Sequence, residues 1–134
     1  MRYLLALAAI LGGCATVPGP APPAARTESF AVAGLMDGAS ADAAAGRFAS
    51  AAATLERALR IEPRNPRLWQ ELARVRLKQG DYAQAESVAA RSNTWAGDDS
   101  GLRAENWRLI AQAREARGDT AGARAALESA ERQR

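Results

Sequence analysis

Apolar and polar positions follow three different patterns along this chain. Tyr3 to Leu11 is an unbroken apolar run. Residues 15–28 have no apolar period and contain Pro18, Pro20, Pro22 and Pro23. From Phe30 onward the apolar positions recur at helical spacing, and the runs are punctuated by glycine. RLWQELARVRLKQ precedes Gly80 and ENWRLIAQAREAR precedes Gly118, each predicting an amphipathic helix that ends at its glycine. FAVAGLMDGASADAAA before Gly46 predicts a weaker one, because Gly34 and Gly38 sit inside it.

These runs are copies of one unit. Gly46 and Gly80 are 34 residues apart, and in that register Phe48 matches Tyr82, Ala51 matches Ala85 and Ile61 matches Trp95. A third copy, GDTAGARAALESA, starts at Gly118 and puts Ala123 and Leu127 in corresponding places. Trp69 and Trp107 each lie eleven residues before their glycine, with Leu72 and Ile110 three residues later; Leu35 takes the tryptophan place in the first copy. Gly80 to Gly118 is 38 residues, so four are inserted, and a loop from Asp98 to Gly101 is the expected place. A fixed period of this length marks a repeat array, and three units suffice to bury a continuous core. Glycine permits the tight turn, small Ala51, Ala85 and Ala123 allow close helix approach, and Trp69 and Trp107 are expected to be largely buried between repeats. Asn65-Pro66 predicts a helix start, as do Asp98, Asp99 and Ser100 for a helix beginning near Leu102.

WQELARVRLKQGDYAQAE resembles the tetratricopeptide repeat, and Pro63 falls where that repeat's closing proline belongs. The resemblance covers residues 30–134 and implies an all-α solenoid of about three helix-turn-helix repeats. It also implies a ligand-facing groove on the first helix of each repeat. By register the second repeat presents Arg67, Gln70, Arg74, Leu77 and Lys78, and the third presents Glu105, Arg108, Gln112, Glu115 and Ala116. We therefore take Arg67, Gln70, Arg74, Lys78, Arg108 and Gln112 as candidate groove residues, a basic face suited to partner carboxylates. A merely solvated helix face is the alternative.

Composition removes most chemistry. The chain has no histidine, which excludes the usual general base, the Ser-His and Cys-His nucleophile pairs and imidazole metal sites. Cys14 is the lone cysteine, so no internal disulfide can form. No metal, cofactor or catalytic residue is expected. The net charge is +3, and +2 once Arg2 is removed with a signal segment, too small to imply nucleic acid. GDDS and RGD invite calcium and adhesion readings, but both fit turns and caps better. Trp95 shares its register with Ile61, which favours packing over an interface role.

The N-terminal pattern assigns an address. Arg2 and the Tyr3–Leu11 run have the charge and length of a secretory signal, whereas a membrane-spanning helix needs about 20 apolar residues. Leu11-Gly12-Gly13-Cys14 resembles a bacterial lipobox, implying cleavage before Cys14 and acylation of its thiol. An ordinary cleaved signal with an incidental cysteine is the alternative. Ala15, in place of an aspartate, implies the periplasmic face of the outer membrane. The expected division is a signal peptide at 1–13, a lipidated cysteine and proline-rich linker at 14–29, and a repeat domain at 30–134. At about 3.1 Å per residue such a linker reaches roughly 40 Å.

This layout, carried by NPRLWQELARVRLKQGDYAQAE and NWRLIAQAREARGD, resembles the LpoP-type outer-membrane lipoproteins that activate a class A penicillin-binding protein. The resemblance implies a protein that stimulates peptidoglycan synthesis without doing chemistry. A scaffold for outer-membrane machinery, of the pilotin or β-barrel assembly type, is the alternative, although those lipoproteins carry five or six repeats.

Overall fold

In the computed structural model, residues 29–134 are described; Cys14, the signal segment and the proline-rich linker lie outside them. Six helices follow one another: α1 (Phe30–Ala44), α2 (Phe48–Ile61), α3 (Pro66–Lys78), α4 (Tyr82–Trp95), α5 (Ser100–Ala116) and α6 (Thr120–Glu131). Among the described residues there is no strand.

Local chemistry sets the helix ends. Asn65 caps α3, accepting from the Arg67 and Leu68 N–H groups, and Pro66 occupies the first turn, where its missing N–H costs nothing. Asp99 caps α5 through Leu102 and Asp119 caps α6 through Gly122. Gly46, Gly80 and Gly118 adopt φ of 76°, 77° and 81°. In each turn the residue after the glycine donates back to the third-last helical carbonyl: Arg47 to Asp42, Asp81 to Arg76 and Asp119 to Arg114. This is the left-handed helix stop that glycine makes cheapest. A Cβ at Gly80 would meet nothing within 4 Å, so backbone conformation, not space, demands the glycine.

Each helix packs on its chain neighbours, and α3 also packs on α5, giving an all-α helical-repeat solenoid of three helix pairs. Ala51, Ala85 and Ala123 are buried. Leu55, Leu68, Ile110 and Val32 are the largest fully buried apolar side chains. The first helix contributes least: only Val32 and Ala39 of α1 are buried.

Trp69 and Trp107 pack against the core and are mostly covered, though not fully enclosed. The Trp69 indole N–H donates to the Pro63 carbonyl at 2.8 Å, and Leu68 beside it is fully buried. The four-residue insertion is not a loop. The connections 62–65 and 96–99 are equally long, while α5 has 17 residues against 13 in α3. Four residues are close to one helical turn, so they extend α5 at its start through Ser100–Arg103 and leave the repeat face in phase.

Candidate partner-binding cleft

An open cleft of about 440 Å³ lies where α3, the start of α4 and α5 meet. Arg74, Leu77 and Lys78 of α3 form one wall, Glu105, Leu109 and Gln112 of α5 the other, and Tyr82 closes one end. Spacing explains the alignment. Arg74 and Lys78 are one turn apart, as are Glu105 and Leu109, so each set shares a helix face. The cleft is amphipathic, with an apolar floor of Leu77 and buried Leu109 beneath charged rims.

Of the candidate groove residues, Arg74, Lys78 and Gln112 line this cleft, while Arg67, Gln70 and Arg108 do not. Arg67 stands at the start of α3, 4.0 Å from Asp99. Gln70 is 8 % exposed and belongs to the interior. Its amide donates to Asn106 Oδ1 at 2.9 Å and to the Leu102 carbonyl at 3.3 Å. Asn106 in turn donates to Ser92 Oγ at 2.8 Å and Asn93 Oδ1 at 2.9 Å, and Ser92 donates to the Pro66 carbonyl at 2.7 Å. This network joins α3, α4 and the added turn of α5. Gln70 touches the cleft only indirectly, by accepting from Arg74 Nη2 at 3.5 Å.

The expected basic face is largely neutralised. Arg74 pairs with Glu71 at 2.7 Å and with Glu105 at 3.4 Å, and Arg108 reaches the other Glu105 oxygen at 3.3 Å. Lys78 is the cleft cation without an ion pair among the described residues. Half-exposed pairs of this kind contribute little stability, about 0–1 kcal/mol each, and a partner carboxylate can exchange into them. Tyr82 and Leu109 were not among the expected groove residues. Tyr82 belongs to the turn register and Leu109 is one turn beyond Glu105, so both were readable as cleft residues once α3 and α5 were paired. Trp95 is half-buried beneath Arg64, whose guanidinium lies 5.2 Å from the ring centre, in keeping with a packing role.

Among the described residues no group of His, Cys, Asp and Glu could hold a metal ion, and no helix is long and apolar enough to cross a membrane.

The tetratricopeptide-repeat family matches residues 42–104. No curated protein matches the chain. Among solved structures, the globular C-terminal domain of P. aeruginosa LpoP is 48% identical. The match covers 76% of this chain and 96% of that one, with a TM-score of 0.75.

Proposed function

The chain belongs to the LpoP family of tetratricopeptide-repeat proteins, and from that premise we propose that it is an outer-membrane lipoprotein that activates a class A penicillin-binding protein. The observation that carries this reading is the sequence identity with LpoP over nearly all of that protein's globular domain. Cys14 is the lipid attachment point, and residues 15–28 tether the repeat domain on the periplasmic side. One acyl chain holds a membrane only marginally, so stable anchoring needs the several chains of a lipoprotein cysteine. The domain is a protein-interaction module. It contributes a surface to peptidoglycan synthesis and performs no covalent step itself.

The cleft between α3 and α5 supports a specific mode of contact. An extended partner segment with an apolar residue and a carboxylate would bury the former on Leu77 and Leu109. The latter would pair with Lys78 and compete with Glu105 for Arg74. Stimulation follows if the bound conformation of the synthase is the active one, since a ligand shifts an equilibrium only by its differential affinity for the two states.

The test is glycan polymerisation by a purified class A penicillin-binding protein on lipid-linked substrate, with and without the repeat protein. Wild type should accelerate chain formation. Lys78→Glu, at a residue exposed and outside any ion pair among the described residues, should reduce the acceleration without lowering the melting temperature. No acceleration by wild type would refute activation. Full acceleration by Lys78→Glu combined with Tyr82→Ala would refute the cleft. The anchor is tested separately, by fatty-acid labelling of wild type and Cys14→Ala; labelling of both would exclude Cys14 as the lipid site.

A further inference from the structure

The two edges of the solenoid differ in chemistry. Odd helices start and even helices end at one edge; the three glycine turns form the other. The first edge is also where the N-terminal segment leaves the domain. The Ser29 N–H donates to Glu62 Oε1 at 3.0 Å, pinning the start of α1 against the end of α2. The same edge carries exposed Arg60, Arg64 and Arg91, none with a carboxylate partner among the described residues. Arg64 lies 5.2 Å from the ring centre of Trp95, and Arg91 the same distance from that of Trp69. Two large apolar side chains project beside them: Phe30 is 99% exposed and Ile61 51%. Acids of this edge are mostly committed, Glu62 to Ser29 and Asn65, Asp99 to the α5 cap and Arg67, and Glu131 to Arg134, which leaves Asp98 and, at the end of α6, Glu128.

We propose that this edge is a docking surface for an anionic lipid bilayer. Guanidinium groups without carboxylate partners take headgroup phosphates, while Phe30 and Ile61 enter the boundary between headgroups and acyl chains. The occupant is a bilayer and not an acidic protein because of where the chain emerges. The proposal rests on the anchor at Cys14: a linker of about 14 residues then holds this edge within roughly 40 Å of the membrane, at high effective concentration. The surface is the rim of helix ends at the edge opposite the cleft. Docking also has a consequence for the cleft. Lys78 and Tyr82 flank the Gly80 turn at the opposite edge, about 20 Å away along α3, so a docked domain points the cleft away from the lipid.

The experiment uses residues 15–134 without the lipid; the hydrophobic core, from Val32 to Ala126, lies wholly within this segment. Cosedimentation compares phosphatidylcholine vesicles with and without phosphatidylglycerol. Binding should require the anionic lipid and weaken as salt is raised. Arg64→Glu with Arg91→Glu should weaken it about tenfold or more, since each basic residue near such a surface contributes about fivefold. Arg117→Glu with Arg124→Glu makes the same change in net charge elsewhere and should leave most binding intact. Phe30→Ser with Ile61→Ser should weaken binding without altering its salt dependence. No binding to anionic vesicles, equal binding to neutral ones, or equal loss in both charge-reversal pairs would overturn the proposal. Because the lipid is absent, these outcomes are independent of whether Cys14 is acylated and of whether a synthase is activated.

Discussion

Helices α3 and α5 hold the same place in successive repeats, yet they are seated differently. At the buried position before each tryptophan, α3 carries Leu68 and α5 carries Asn106, both 0 % exposed. The second repeat therefore closes on apolar packing. The third closes on a hydrogen-bond network through Gln70, Ser92 and Asn93, and starts one turn earlier. An apolar joint tolerates small sliding, whereas a satisfied polar joint fixes one register, because any shift leaves buried groups unpaired. The polar joint lies beneath the cleft, where the separation of α3 and α5 sets the distance from Arg74 to Glu105.

The two joints should respond differently to substitution. The largest effect should come from Leu68→Ala, which leaves a cavity in the apolar joint and should cost about 2–5 kcal/mol in chemical denaturation. Asn106→Ala should cost less, about 1–3 kcal/mol, by stranding the Gln70 amide and its neighbours. Gln70→Leu with Asn106→Leu should recover part of that loss, since the two amides no longer strand each other while Asn93 Oδ1 still loses its donor. Recovery of stability without recovery of synthase activation would assign the network to register; a double variant no more stable than Asn106→Ala would show that the stranded Gln70 amide is not the source of the loss.

A smaller contrast separates glycines. Gly80→Ala should destabilise by about 1–2 kcal/mol, because its φ is +77°. Gly34→Ala should stabilise by about 0.5–1 kcal/mol, because Gly34 sits in the helical interior of α1 with nothing within 4 Å of an added Cβ. Thermal melts of the two variants should move in opposite directions.

The smallest effect concerns acid. The Ser29 N–H holds the Glu62 carboxyl below its usual range against the opposing effect of burial, with a weaker contribution from the Asn65 amide. The folded chain thus takes up that proton less readily than the unfolded one. The resulting stability is complete above about pH 5 and is lost as pH falls through the depressed value. The difference in melting temperature between wild type and Glu62→Gln should shrink on going from about pH 6 to about pH 3.

What was legible in the sequence was whatever depends on neighbours in the chain. Asn65-Pro66, Gly80 and Asp99 act through adjacent backbone, so caps, turns and the repeat period could be read directly. The four extra residues were countable, but whether they formed a loop or a helical turn depended on the joint with α6 and α3. Arg103 shows this: it donates to Gln133 at 2.7 Å, thirty residues away. Gln70 was misassigned to the groove for the same reason, because its partner Asn106 lies 36 residues on. The basic face was overstated because register gives positions but not the carboxylates, Glu71 and Glu105, that turn toward them.

The proposed contact between the α3–α5 cleft and a class A penicillin-binding protein is open to direct test. A photocrosslinking residue placed at Tyr82, inside the cleft, and in a second strain at Arg124, on the outer helix α6, tests it in living cells. An adduct with the synthase is expected from position 82 and none from 124. An adduct from 124 alone, or none from 82 while the protein still stimulates polymerisation, would contradict the proposed contact.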